Sequence, residues 1–169
     1  MKKRTIKALV FSMLNIFVLS SLVTFGQGKT NFSGTWNFNE SKSQAAEGPR
    51  MVISKINVTQ GDSSITFERT MQGQNGEEFT SKDLITLDGK ECQNTFFGNN
   101  IKKSKASWSD DGKILTITSN ASFERDGETM EFNTIEKYNL SDDGKTLTLD
   151  STVSSSFGEM KSTSVYDKV

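Results

Sequence analysis

Arg69 and Glu136 each fall in step with apolar residues two positions apart: Arg69 with Ile65, Phe67 and Met71, and Glu136 with Phe132 and Tyr138. A charge on the dry side of a strand is costly unless it meets a partner, a ligand group or water. The two-pronged guanidinium of Arg69 suits a ligand carboxylate. Equally, Arg69 can pair internally with Glu136 or Asp83, or sit at a wet rim. Asp83 and Glu136 are the carboxylates with acid/base potential, but they are 53 positions apart in sequence and carry no spacing motif that sets their separation. Composition excludes much of the remaining catalytic repertoire. The 169 residues contain no His, which removes Ser-His-Asp and Cys-His chemistry and His-ligated metals. Cys92, the single cysteine, has neither a disulfide partner nor an activating imidazole, and reads as a half-buried small residue. No catalytic residue, metal ligand or cofactor is assigned.

The elements that carry these residues are marked by regular punctuation. Turn signals fall at Gly61-Asp62, Asn75-Gly76, Asp88-Gly89, Gly98-Asn99, Asp111-Gly112, Asp126-Gly127, Asp143-Gly144 and Phe157-Gly158. Asp-Gly and Asn-Gly suit tight hairpins because both residues tolerate positive φ. Between the turns the chain alternates, with Leu115, Ile117, Ser119, Ala121 and Phe123 on one face and Thr116, Thr118, Asn120, Ser122 and Glu124 on the other. Such a period of two describes antiparallel strands with one dry and one wet face. Residues 109–117 (SDDGKILTI) recur 32 positions later as 141–149 (SDDGKTLTL). The match lacks the alternating ligands and terminal Glu of a calcium loop and reads as one hairpin turn used twice. The best short helix candidate is Asn39 to Ala46. The Lys102-Lys103-Lys105 cluster reads as a solvated edge, and Met51, Met71, Met130 and Met160 as gap-fillers.

The first 26 residues differ from the rest. A basic head (Lys2, Lys3, Arg4, Lys7) precedes an apolar run from Ala8 to Phe25, and Thr24 and Gly26 offer a small-residue cleavage site. These features predict a signal peptide over 1–26, a mature domain over 27–169 starting near Gln27, and a secreted or periplasmic location. The competing expectation is an uncleaved anchor. The mature part holds sixteen basic against twenty-one acidic residues, so it has no electrostatic footprint for nucleic acid and no expected membrane span. The N-x-[ST] triplets at Asn31, Asn57, Asn120 and Asn139 read as chance matches in a chain rich in Asn, Ser and Thr.

About eight to ten strands joined by hairpins form a meander, and closing it removes exposed edges. The expected fold is therefore all-β, an antiparallel up-and-down meander β-barrel with one short helix after the first strand. Its polar outer face marks it as a water-soluble barrel rather than a lipid-facing one. Near the start of the mature chain, Gly34-Thr35-Trp36 resembles the G-x-W signature of lipocalins and lipocalin-like secreted bacterial proteins. That resemblance implies a meander barrel holding small, often apolar ligands, with Gly34 and Trp36 at the barrel floor. Ten strands would also be similar to the fatty-acid-binding-protein relatives. The chain departs from the lipocalin pattern by lacking a T-D-Y turn and by offering Lys168 where an Arg usually packs on the Trp. Small inward residues (Ala106, Ser119, Ala121, Ser151, Ser155, Ser162, Ser164) leave room inside unless they meet water at barrel ends or bulges. Phe67, Trp108, Phe132 and Tyr138 would wall a site containing Arg69 and Glu136. The expected function is a binding protein for a small, apolar or acidic ligand. The alternative is a filled structural barrel that binds protein or glycan through its loops.

Overall fold

The computed structural model describes residues 28–44, 52–73, 76–96, 98–125 and 127–169. The leader, Met51 and the last two residues of the helix candidate lie outside them. Ten antiparallel strands follow the expected punctuation: β1 (Gly34–Phe38), β2 (Val52–Gln60), β3 (Ser64–Gln72), β4 (Glu78–Thr86), β5 (Glu91–Phe96), β6 (Asn100–Trp108), β7 (Ile114–Arg125), β8 (Glu128–Leu140), β9 (Thr146–Ser155) and β10 (Gly158–Lys168). Neighbours in sequence are neighbours in the sheet, and β1 also pairs with β10, giving the order β4-β3-β2-β1-β10-β9-β8-β7-β6-β5. The result is a nearly closed up-and-down barrel. Among the described residues, β4 and β5 are the neighbours without a backbone ladder between them. There the side-chain amide of Asn94 stands in for one, accepting from the Leu84 N–H at 2.8 Å and donating to the Leu84 carbonyl at 3.1 Å.

The repeated segment builds the same turn twice. Ser109 Oγ donates to Asp111 Oδ1 at 2.6 Å while that carboxylate accepts from the Lys113 N–H at 3.1 Å; Ser141, Asp143 and Lys145 repeat this at 2.6 and 3.0 Å. Gly112 and Gly144 close the two turns at φ of 69° and 68°. The Asp side chains are thus committed to the turn itself, and hydrogen bonds from Ser109 and Ser141 hold Asp111 and Asp143 below the usual carboxylate range.

The helix expected over Asn39 to Ala46 is shorter than its pattern. A 3-10 turn spans only Glu40–Lys42, with the Asn39 side chain capping the Lys42 N–H. Ser43 is extended, and the backbone of Gln44 bonds in both directions to Thr163, so strand-like pairing takes the groups a longer helix needs.

One end of the barrel is sealed. Phe32, Trp36, Ile65, Leu115, Leu147 and Tyr138 are fully buried there among Ile56, Ile117 and Tyr166. Trp36 donates its indole N–H to the Phe32 carbonyl at 3.0 Å, and Gln60 ties the entering chain down by bonding Phe32 and Thr30. Gly34 has φ of +145°, and a Cβ there would lie 3.0 Å from Lys168 Cε. That positive φ favours glycine, and the Lys168 side chain crosses this position to place its ammonium 5.2 Å from the Trp36 ring centre.

Candidate functional site

Above the apolar floor the inward-facing residues change character. Ladder partners Arg69 and Ser81, Ser104 and Ser119, Ser119 and Thr134, and Glu136 and Ser151 line the barrel with hydroxyls and charges. Ser104 and Ser119 are buried and share a 2.8 Å hydroxyl–hydroxyl bond. Within this layer the charged groups form a chain of alternating sign. Lys102 Nζ lies 2.6 Å from Asp83 Oδ2; the same oxygen accepts from Arg69 Nη1; Arg69 Nη2 reaches Glu136 Oε2 at 3.1 Å and donates to the Tyr138 hydroxyl at 2.7 Å. Of the alternatives open for Arg69, the structure shows internal pairing with both Asp83 and Glu136.

Electrostatics inside the chain follow from burial and pairing. Burial opposes the charge on Arg69, but Glu136, Tyr138 and Asp83 together raise its pKa above the ordinary guanidinium value. Burial pushes the Tyr138 hydroxyl well above the usual phenol range, against the opposing pull of Arg69. Arg69 also stands over the Phe67 ring at 4.9 Å, and Phe67 stacks on Tyr138 with ring centres 4.6 Å apart. Those two rings therefore support the charged layer from beneath.

A cavity of about 650 Å³ lies on the other side of this layer. Its inner end is formed by Arg69, Asp83, Lys102 and Glu136 with the hydroxyls of Ser119 and Thr134, and Met71, Phe79 and Phe96 supply apolar surface toward the mouth. Both faces of β4 border it, through Thr80 and Lys82 as well as Ser81 and Asp83, so the cavity reaches into the seam between β4 and β5.

Of the six residues expected to contact a ligand, Arg69 and Glu136 border the cavity. Phe67 and Tyr138 belong to the packed core below, Trp108 stacks on Phe32 at the floor with ring centres 5.9 Å apart, and Phe132 stacks on Phe123 at 5.5 Å. Trp36 is buried in the packed core at the sealed end, with Gly34 beside it. Lys102 requires a correction: it is not part of a solvated edge. The alternation of β6 places it in phase with buried Ser104 and Ala106, while Lys103 and Lys105 point outward. That phase is visible in the sequence, but three lysines in four positions mask it. Met71 lines the cavity, whereas Met160 is half exposed and fills no gap. Cys92 is half-buried and donates its thiol to the Ser104 carbonyl at 3.3 Å.

Fold and site together define a ten-stranded antiparallel barrel with one sealed end and a charged internal layer beneath an open cavity. No protein-family model and no curated protein matches the sequence. Among solved structures the chain is similar to zebrafish ileal bile acid-binding protein complexed with cholic acid, at 18% identity and a TM-score of 0.46, covering 82% of this chain and 98% of that one. At that level of similarity the chemistry must come from this chain's own residues.

Proposed function

We propose that this protein is a non-catalytic binding protein, exported through its leader to the periplasm or cell exterior, that holds a small, partly apolar ligand in the upper half of its barrel. The cavity carries this reading: about 650 Å³ falls within the roughly 300–1,000 Å³ of small-molecule sites. Its apolar mouth and polar inner end suit an amphipathic molecule entering head first. A filled barrel acting only through its loops would have no reason to keep Ser119 and Thr134 small and polar around that space.

Native mass spectrometry of protein purified from its own source tests this directly. The expected result is an additional small-molecule mass that is lost on denaturation, on a polypeptide beginning near Gln27. Thr134→Trp places a large ring in the cavity and should abolish ligand retention with little change in circular dichroism. A bare polypeptide mass, together with no binding of single-chain amphiphiles by the purified protein, would overturn the reading.

A further inference from the structure

The charged layer has two ends, and both face the cavity. Its four ionised groups run Lys102 (+), Asp83 (−), Arg69 (+), Glu136 (−), each bridged to the next. The middle pair is sealed, with side-chain exposures of 3% for Asp83 and 6% for Arg69, whereas Lys102 and Glu136 retain 18% and 16%. A molecule entering the cavity therefore meets one ammonium and one carboxylate, backed by a pair that already neutralises itself. The whole cluster sums to zero charge. A singly charged head group would leave one charge without a partner at the inner end of the cavity, beside groups that are largely buried, and an unpaired charge there is costly.

We infer that the preferred ligand of this cavity is a zwitterionic amphiphile, its anionic group set against Lys102, its cationic group against Glu136, and its apolar part directed to Met71, Phe79 and Phe96. This rests on the small-ligand reading above and specifies the head group it takes. Ser119 and Thr134 border the same inner end and offer hydroxyls that donate to an anion or accept from a cation. The ammonium of Lys102 has three donors, only one of which is needed for Asp83. Charge complementarity of this kind sets specificity more than total affinity, because mismatched charges are rejected.

The test is calorimetric titration of the intact mature protein with four probes built on a ten-carbon chain: N-decyl-N,N-dimethylglycine, decanoate, decyltrimethylammonium and decanol. The dimethylglycine zwitterion should bind about tenfold or more tightly than either singly charged probe, a factor typical of one mismatched charge-assisted contact. Lys102→Met removes the positive end and should shift preference toward decyltrimethylammonium. Glu136→Gln removes the negative end and should shift it toward decanoate. The two opposite shifts are a readout that a purely structural role would not give, and either variant alone reports one of them if the other fails to fold. Equal affinity for all four probes, or decanoate binding most tightly to the wild type, overturns the zwitterion inference and leaves the small-ligand reading standing. Binding of none of the four overturns both.

Discussion

Arg69 is the residue on which the interior depends. It is 5% exposed and holds Asp83, Glu136 and the Tyr138 hydroxyl at once. Removing one member of a buried ion network leaves its partners desolvated without compensation. Arg69→Met keeps most of the apolar stem and is expected to destabilise the protein by about 3–5 kcal/mol, since Glu136 loses its cation while Asp83 keeps only Lys102. Chemical denaturation measures this; a loss below about 1 kcal/mol, the level of surface substitutions, would show that the network contributes little. Trp36→Ala should cost a similar amount, about 3–5 kcal/mol, because a fully buried ring and its bond to the Phe32 carbonyl disappear together and a cavity opens at the floor. An unchanged melting temperature would contradict that assignment.

Among the elements, the β4 and β5 pair is the weak joint. Among the described residues every other neighbouring pair is tied by a backbone ladder, with one register shift between β2 and β3 at Ile53/Lys55, while these two are joined through the Asn94 amide gripping both backbone groups of Leu84. Asn94 alternates in phase with Cys92 and Phe96, yet its side chain turns along the seam instead of into the barrel. Each exposed hydrogen bond of this kind contributes on the order of 1 kcal/mol or less. Asn94→Ala is therefore expected to leave global stability nearly unchanged and to accelerate hydrogen exchange of the Leu84 amide several-fold. Equal protection of Leu84 in the variant and the wild type would mean that the seam is held by something other than Asn94.

For the molecule as a whole, two buried phenols govern the alkaline limit. Burial pushes Tyr166 up from 10.0 to about 12, and Tyr138 is raised as well. Both folded-state values lie above the unfolded one, so their contribution is fully present below about pH 10 and is lost as the pH rises toward the folded value. Melting temperature should hold steady up to about pH 10 and fall between pH 10 and 12. Tyr166→Phe keeps the ring and removes one titrating group, and should make that fall shallower. A wild-type protein with constant stability across this interval would place both hydroxyls in water.

Local chemistry determined most of the architecture in advance. Asp-Gly and Asn-Gly pairs with alternating side chains specify hairpins through φ sign and pleat alone, which is why the turns at Gly112 and Gly144 form as their sequence indicates. The inward phase of Arg69, Glu136 and Tyr138 was legible for the same reason. The short helix was overstated because the Gln44 backbone pairs with Thr163, 119 positions away, and no local pattern signals that bond. Lys102 was hidden by the lysines around it, although its phase was correct for the interior. Which inward residues of non-adjacent strands meet one another was left to barrel closure. Arg69 and Asp83 are close because β3 and β4 are ladder neighbours, whereas Glu136 on β8 reaches Arg69 and Lys102 on β6 reaches Asp83 because curvature brings faces of non-adjacent strands together across the lumen. Closure likewise divided the aromatics, sending Trp108, Phe67 and Tyr138 to the packed end and leaving the cavity to Met71, Phe79 and Phe96. Alternation states the side of the sheet a residue faces, but its height along the barrel depends on strand tilt and register, and these exist only once all ten strands are paired.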